Sequence, residues 1–233
     1  MSDTPRTGRH PGEPHHPEGT GSRLNRLRAG VLGANDGIVS TAGVVVGVAA
    51  TSTSIPVIAT AGGAALLAGA LSMAAGEYVS VSTQRDTEKA LLATERRELA
   101  EMPDEELDEL AGIYEAKGLT PDLARQVAVQ LTERDPLAAH ADAELHIDPD
   151  ELTSPWEAAV ASIVSFTVGG LLPFLAVLLL PEAVRVPLTV VVVLLALALT
   201  GYLSARVNDT PRLRPTARLV VGGALALAAT FAI

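Results

Sequence analysis

The sequence predicts an all-α membrane protein with five transmembrane helices and a cytoplasmic helical domain inserted between the second and the third. Three observations predict it. Five apolar stretches, residues 31–52, 56–81, 158–180, 186–205 and 215–233, alternate with polar segments. Acidity gathers in one place: residues 84–155 hold nineteen Asp and Glu against seven Lys and Arg, in a chain whose formal net charge is −10. Arginines gather in two others, Arg23, Arg26 and Arg28 before the first stretch and Arg206, Arg212, Arg214 and Arg218 before the end of the chain.

Taken in order, residues 1–22 are rich in Pro, Gly and His and lack an apolar core, so they read as a disordered tail and not as a signal peptide. His10, His15 and His16 offer at most a loose metal contact there; a solvated tail is the preferred reading. Residues 23–83 carry the first two membrane helices. Crossing ~30 Å of hydrocarbon takes roughly 20 residues, which the first four stretches supply. The first also carries an aspartate, in the run Gly33-Ala34-Asn35-Asp36-Gly37-Ile38-Val39. An ionisable group at membrane depth costs ~2.5 kcal/mol or more and therefore marks an ion pathway. Residues 156–233 carry the remaining three helices. The last has only fifteen uncharged residues after Arg218, and it spans if that arginine snorkels to the headgroups. Buried helices of a soluble protein would need polar faces at helical spacing, and residues 158–180 have no charge on any face.

The positive-inside rule sets the orientation. The two arginine clusters flank the first helix and the loop between the fourth and fifth, while the other short loops hold only Arg185. The N-terminus and residues 84–155 are therefore expected in the cytoplasm and the C-terminus outside.

Within the acidic segment, Glu95 and Glu98 form one pair three residues apart and Glu106 and Glu109 a second, each pair on one helical face. Leu91, Leu92 and Leu99 punctuate the first helix. Pro103 suits the first turn of a second, which runs through Leu107, Leu110 and Ile113 to a stop at Gly118. Thr120 and Pro121 open a third, with Leu123, Val127 and Leu131 along it, and Asp135-Pro136 breaks it. Residues 137–147 add His140, Asp142, Glu144 and His146 before Trp156, an interfacial anchor. If the first two helices fold back on one another, four carboxylates converge, and a divalent cation is the natural way to neutralise them. A solvated acidic surface is the plainer meaning of such a run. With no cysteine in the chain, metal ligands must come from oxygen, imidazole or thioether.

These residues resemble the vacuolar iron transporter family of iron and manganese exporters. The resemblance runs from about Leu27 to the C-terminus. It rests on Asn35-Asp36-Gly37, on Ala68-Gly69-Ala70-Leu71-Ser72-Met73 with Gly76-Glu77-Tyr78-Val79-Ser80, and on the two Glu pairs around a proline followed by Ile113-Tyr114 and Gly118. It implies a homodimer of five-helix subunits, an ion path between them, and a cytoplasmic domain that collects metal. By the same resemblance Asp36 and Met73 match membrane metal ligands, and Glu95, Glu98, Glu106, Glu109 and Glu144 match the carboxylates of the cytoplasmic site. Where some members have a glutamate this chain has Ala65, so Glu77 or a partner subunit is expected to contribute. Where plant-like members have methionines just before the last glutamate, this chain has His140, Ala141 and Asp142.

The expected activity is exchange of a divalent metal for protons, Fe2+ first and Mn2+ second, carried outward from the cytoplasm, with no tightly bound cofactor. An Asp36 carboxyl that holds a proton when empty and yields it to an arriving cation is the minimal chemistry of such an antiporter, and Met73 adds a soft ligand that disfavours Mg2+ and Ca2+. Each of these residues also has a plainer reading: packing for Met73, snorkelling for Glu77 and interfacial anchoring for Tyr78. Gly43 and Gly47, a small-xxx-small pair, would let two helices approach closely within a subunit or across a dimer. Two rival classes remain. One is a membrane-bound di-iron oxidase, whose usual Glu-x-x-His pairs do not occur in the acidic helices. The other is a non-transporting metal sensor. No phosphate-cradling Gly-x-x-x-x-Gly-Lys loop is present, so primary active transport by this chain alone is not expected; nor is a nucleic-acid partner.

Overall fold

The computed structural model describes residues 20–207 and 211–231; the histidines of the N-terminal tail lie outside them. Among the described residues the chain is all helical, with α1 (Thr20–Thr51), α2 (Ile55–Glu101), α3 (Pro103–Ala116), α4 (Pro121–Arg134), α5 (Pro136–His140), α6 (Pro155–Leu179), α7 (Arg185–Val207) and α8 (Leu213–Phe231). A π-helical turn, Ala141–Leu145, follows α5, and a 3-10 turn, Glu182–Val184, precedes α7. Four helical stretches are long and apolar enough to cross a membrane: Gly30–Thr51, Ile55–Glu101, Pro155–Leu179 and Glu182–Arg206. α8 is the shorter, arginine-led helix that the sequence marks as its weakest span; it has 19 residues.

The membrane helices pack around α1, and glycine makes the packing possible. A Cβ on Gly37 would lie 2.1 Å from the backbone oxygen of Phe166, and one on Gly169 would lie 2.3 Å from that of Ala34. α1 and α6 thus touch backbone to backbone, at a distance only glycine permits. The close approach uses Gly33 and Gly37 and not the Gly43 and Gly47 pair noted in the sequence: Gly47 faces open space, and Gly43 meets Thr230 of α8 within the same subunit. On either side lie two apolar clusters. Ile38 and Ala42 pack on Val193, Leu197 and Leu227, and Val45 packs on Ile58 and Val177.

The sequence suggests a membrane helix ending near Val81 and a separate acidic helix after it, but α2 continues through position 84 without a break for 47 residues. At 1.5 Å per residue that is ~70 Å, more than twice the hydrocarbon thickness, so about half of the helix stands clear of the membrane. Composition says which half. The apolar stretch ends by Val81, and from Arg85 onward a charge recurs every few residues. Tyr78 of α2 and Trp156 of α6 meet at that boundary with their rings tilted by 59° and centroids 5.0 Å apart, as paired interfacial aromatics can. Just beyond it, Glu88 of α2 accepts hydrogen bonds from both the backbone N–H and the hydroxyl of Thr153, at 3.1 Å each, and ties the start of α6 to the α2 stalk.

The acidic helices form where the punctuation puts them. Pro103, Pro121 and Pro136 each open a helix, and Gly118, at φ +101°, closes α3 in the left-handed region. Asp135 breaks α4 and caps α5, its carboxylate accepting from the Ala138 N–H at 3.0 Å. A small core of Leu110, Ala111, Ala128 and Ala143 joins α3, α4 and the π turn.

Candidate metal sites

Two sites sit along α2. The outer one lies on the stalk. Glu95 projects from α2, Glu106 from the first turn of α3, His140 from the end of α5 and Glu144 from the π turn. Glu95 is 3% exposed, Glu106 5% and His140 0%, while Glu144 is exposed. The Nδ1 of His140 lies 3.0 Å from Oε1 of Glu95 and 3.6 Å from Oε2 of Glu106. Ligand atoms of Glu95, His140 and Glu144 all lie within 4.8 Å of one another, close enough to share one cation.

The electrostatics are those of acids crowded out of water. Burial, then the charges of Glu144, Glu106, Glu98 and Glu109, push the Glu95 carboxyl up to about 7. Burial likewise raises Glu106 and Glu144, with Glu109 the first charge acting on each. Burial lowers His140, against an opposing pull from Glu109, so its ring is neutral near pH 7. The charges of Glu98 and Glu109 thus bear on Glu95, Glu106 and Glu144, and the five glutamates singled out in the sequence lie in one cluster but are unequally placed. Glu95 and Glu106 are buried, Glu98 is half-buried, and Glu109 stands at the exposed rim. His140, whose part the sequence left open, sits at the centre. Its spacing four residues before Glu144, just after the Asp135-Pro136 break, was the available signal. Asp142 between them is exposed, and its carbonyl lies 2.9 Å from the His146 ring Nδ1.

The inner site is a cavity of about 520 Å³ among the membrane helices, lined by Asp36, Ser40, Ser72, Met73, Glu77 and Phe166 among others. Asp36 and Met73, the two matches to membrane ligands, and Glu77 share this one cavity, and Ala65 lines it too, without a donor. The Ser40 hydroxyl donates to the Asp36 carbonyl and leaves the carboxylate free of that contact. Phe166 reaches the cavity because Gly69 and Gly37 leave it room. Here donors are few: two carboxylates, a thioether and hydroxyls.

The fold defines a multi-pass helical membrane protein, with oxygen, imidazole and thioether groups clustered both among its apolar helices and on the α2 stalk. Comparison with known proteins is more specific. Residues 27–233 match the VIT family, and the chain belongs to it. A vacuolar iron transporter of Acanthamoeba castellanii is 41% identical over 208 residues, spanning 89% of this chain and 77% of the relative. Vacuolar iron transporter homolog 2 of Arabidopsis thaliana is 34% identical over 212 residues, 91% of this chain and 84% of its own. Vacuolar iron transporter homolog 5 of Oryza sativa is 35% identical over 213 residues, 91% and 80%. The family is one of transporters and not of enzymes.

Proposed function

We infer that this protein carries a divalent metal, Fe2+ with Mn2+ as the second ion, out of the cytoplasm in exchange for protons. The observation that carries the reading is the continuity of α2. A single helix bears Glu95 of the acid cluster at one end and Met73 and Glu77 of the membrane cavity nearer the other. In this reading the five glutamates collect metal on the cytoplasmic side, and Asp36, Met73 and Glu77 take it through the bilayer. α8 is the fifth span. The N-terminus and residues 84–155 lie inside, by the arginine distribution, and the C-terminus lies outside. The cavity has few donors for a divalent ion within one subunit, which supports a homodimer that completes it.

Antiport follows from competition for one group, since a membrane carboxylate can hold either a proton or the metal. In proteoliposomes with the cytoplasmic face outward, Fe2+ uptake should exceed that of Mn2+ and should alkalinise the lumen, read with a trapped pH dye at clamped voltage. Metal influx with no luminal pH change at several imposed gradients would leave facilitated diffusion; no influx of any metal would remove transport.

A further inference from the structure

His140 is the most buried polar side chain of the outer site and the least satisfied. It is 0% exposed, and neither ring nitrogen has a hydrogen-bond partner; Oε1 of Glu95 has none either. The two atoms lie 3.0 Å apart, yet their geometry is not that of a hydrogen bond. A histidine buried for packing alone would be paired, because an unpaired polar group inside a protein costs about 1–3 kcal/mol. Nearby atoms that do not point at each other are what two ligands of one ion look like. Neighbouring ligands at ~2.1 Å from an octahedral metal stand roughly 3 Å apart, each aimed at the metal. The 3.0 Å separation to Glu95 matches that spacing, and Glu106, at 3.6 Å, is the next carboxylate out.

We propose that Nδ1 of His140 is a direct metal ligand, which makes the outer site a mixed imidazole and carboxylate site that favours Fe2+ over Mn2+ and disfavours Mg2+ and Ca2+. This rests on reading the glutamate cluster as a metal site; what it adds is the donor that sets the preference. Carboxylates alone suit hard cations, whereas imidazole suits the later divalent metals, whose affinity for nitrogen rises from Mn2+ toward Co2+. The π turn holds His140 and Glu144 against the same centre, and such turns recur at functional sites.

The test uses the full chain in detergent, with Mn2+ and Co2+ as probes. Pulsed EPR of bound Mn2+ should carry the modulation of a directly coordinated 14N nucleus, lost in both H140Q and H140M. Methionine fills much of the buried volume, so H140M with unchanged helicity and elution separates ligation from folding. By calorimetry, H140Q should weaken Co2+ by about tenfold or more and Mn2+ by much less. A nitrogen signal that survives in H140Q, or no nitrogen signal from bound Mn2+ in the unaltered protein, overturns the assignment. E95Q combined with E144Q separates the two levels of the argument. If that pair leaves Co2+ binding unchanged, the cluster is no metal site. If it weakens binding while H140Q changes neither affinity nor spectrum, only the imidazole ligand is refuted.

Discussion

Asp36 shares a cavity of about 520 Å³ with one other carboxylate and a thioether, whereas Glu95, Glu106 and Glu144 converge on a buried imidazole with two further glutamates at the rim. In the proposed function the two regions handle the same kind of ion under opposite constraints. In the bilayer each carboxylate is expensive, so few are present and each matters alone. On the stalk water is close at hand, carboxylates are cheap to place, and burial is what turns an acidic surface into a site. The scaffolds differ accordingly. Backbone contact at Gly37 and Gly169 holds the membrane site, while a small core under proline-started helices holds the outer one.

The largest contrast should come from single neutralisations. Asp36→Asn keeps shape and removes charge, and transport of reconstituted protein should fall to the level of empty vesicles while metal binding at the outer site is retained. Normal Fe2+ flux through that variant would erase the difference between the regions.

Packing provides the next contrast. Gly37→Ala puts a methyl group 2.1 Å from a backbone oxygen of α6, which neither helix can yield without separating. A loss of folded protein is expected, equivalent to about 1–3 kcal/mol or more. Gly112 of α3 has nothing within 4 Å of a built Cβ, so Gly112→Ala should stabilise by up to ~1 kcal/mol through helix propensity. Thermal melts of the two variants side by side decide it, and equal effects would mean that α1 and α6 are not in backbone contact.

A smaller contrast lies within the outer region itself. Glu106 is 5% exposed, whereas Asp108, two residues on, has a side chain 72% exposed and pairs with Arg125 at the surface. Glu106→Gln should weaken Co2+ binding by about 10- to 100-fold. Asp108→Asn should change it by less than about twofold, since exposed ion pairs contribute little. Equal losses, both relieved by salt, would turn the site back into a diffuse acidic surface.

Much of this was legible in the chain because local chemistry decides it. Pro103, Pro121 and Pro136 start helices and Gly118 ends one whatever surrounds them, and long apolar runs declare themselves by length. The continuity of α2 was less visible, since the change from apolar to charged at Arg85 suggests a boundary although nothing there breaks a helix. Which glutamate of each pair turns inward, and that His140 lies between them, depends on how α3 and α5 dock on the stalk. That is a tertiary fact, and spacing along one helix does not report it. The Gly43 and Gly47 pattern shows the same limit: Gly33 and Gly37 have identical spacing, and only the partner helix tells them apart.

The subtlest difference is in pH dependence. Without metal, burial and like charge hold Glu95 at about 7 and raise Glu106 and Glu144 as well. Between the ordinary carboxylate range near 4.5 and that value, the folded protein binds more protons than the unfolded chain, so its stability falls as pH rises through the window. The metal-free protein should therefore melt on the order of a few degrees lower at pH 7.5 than at pH 5.5. A bound divalent ion takes the protons' place, so saturating Co2+ should flatten or reverse that slope. Glu95→Gln removes the group that titrates highest and should flatten the metal-free slope by itself, whereas Asp108→Asn should leave it intact. His140, lowered by burial, contributes a slope of the opposite sign in the same window, so the Glu95→Gln comparison decides. A metal-free slope that Glu95→Gln leaves unchanged would show that Glu95 is an ordinary solvated acid, and the contrast with Asp36 would then lie in number alone.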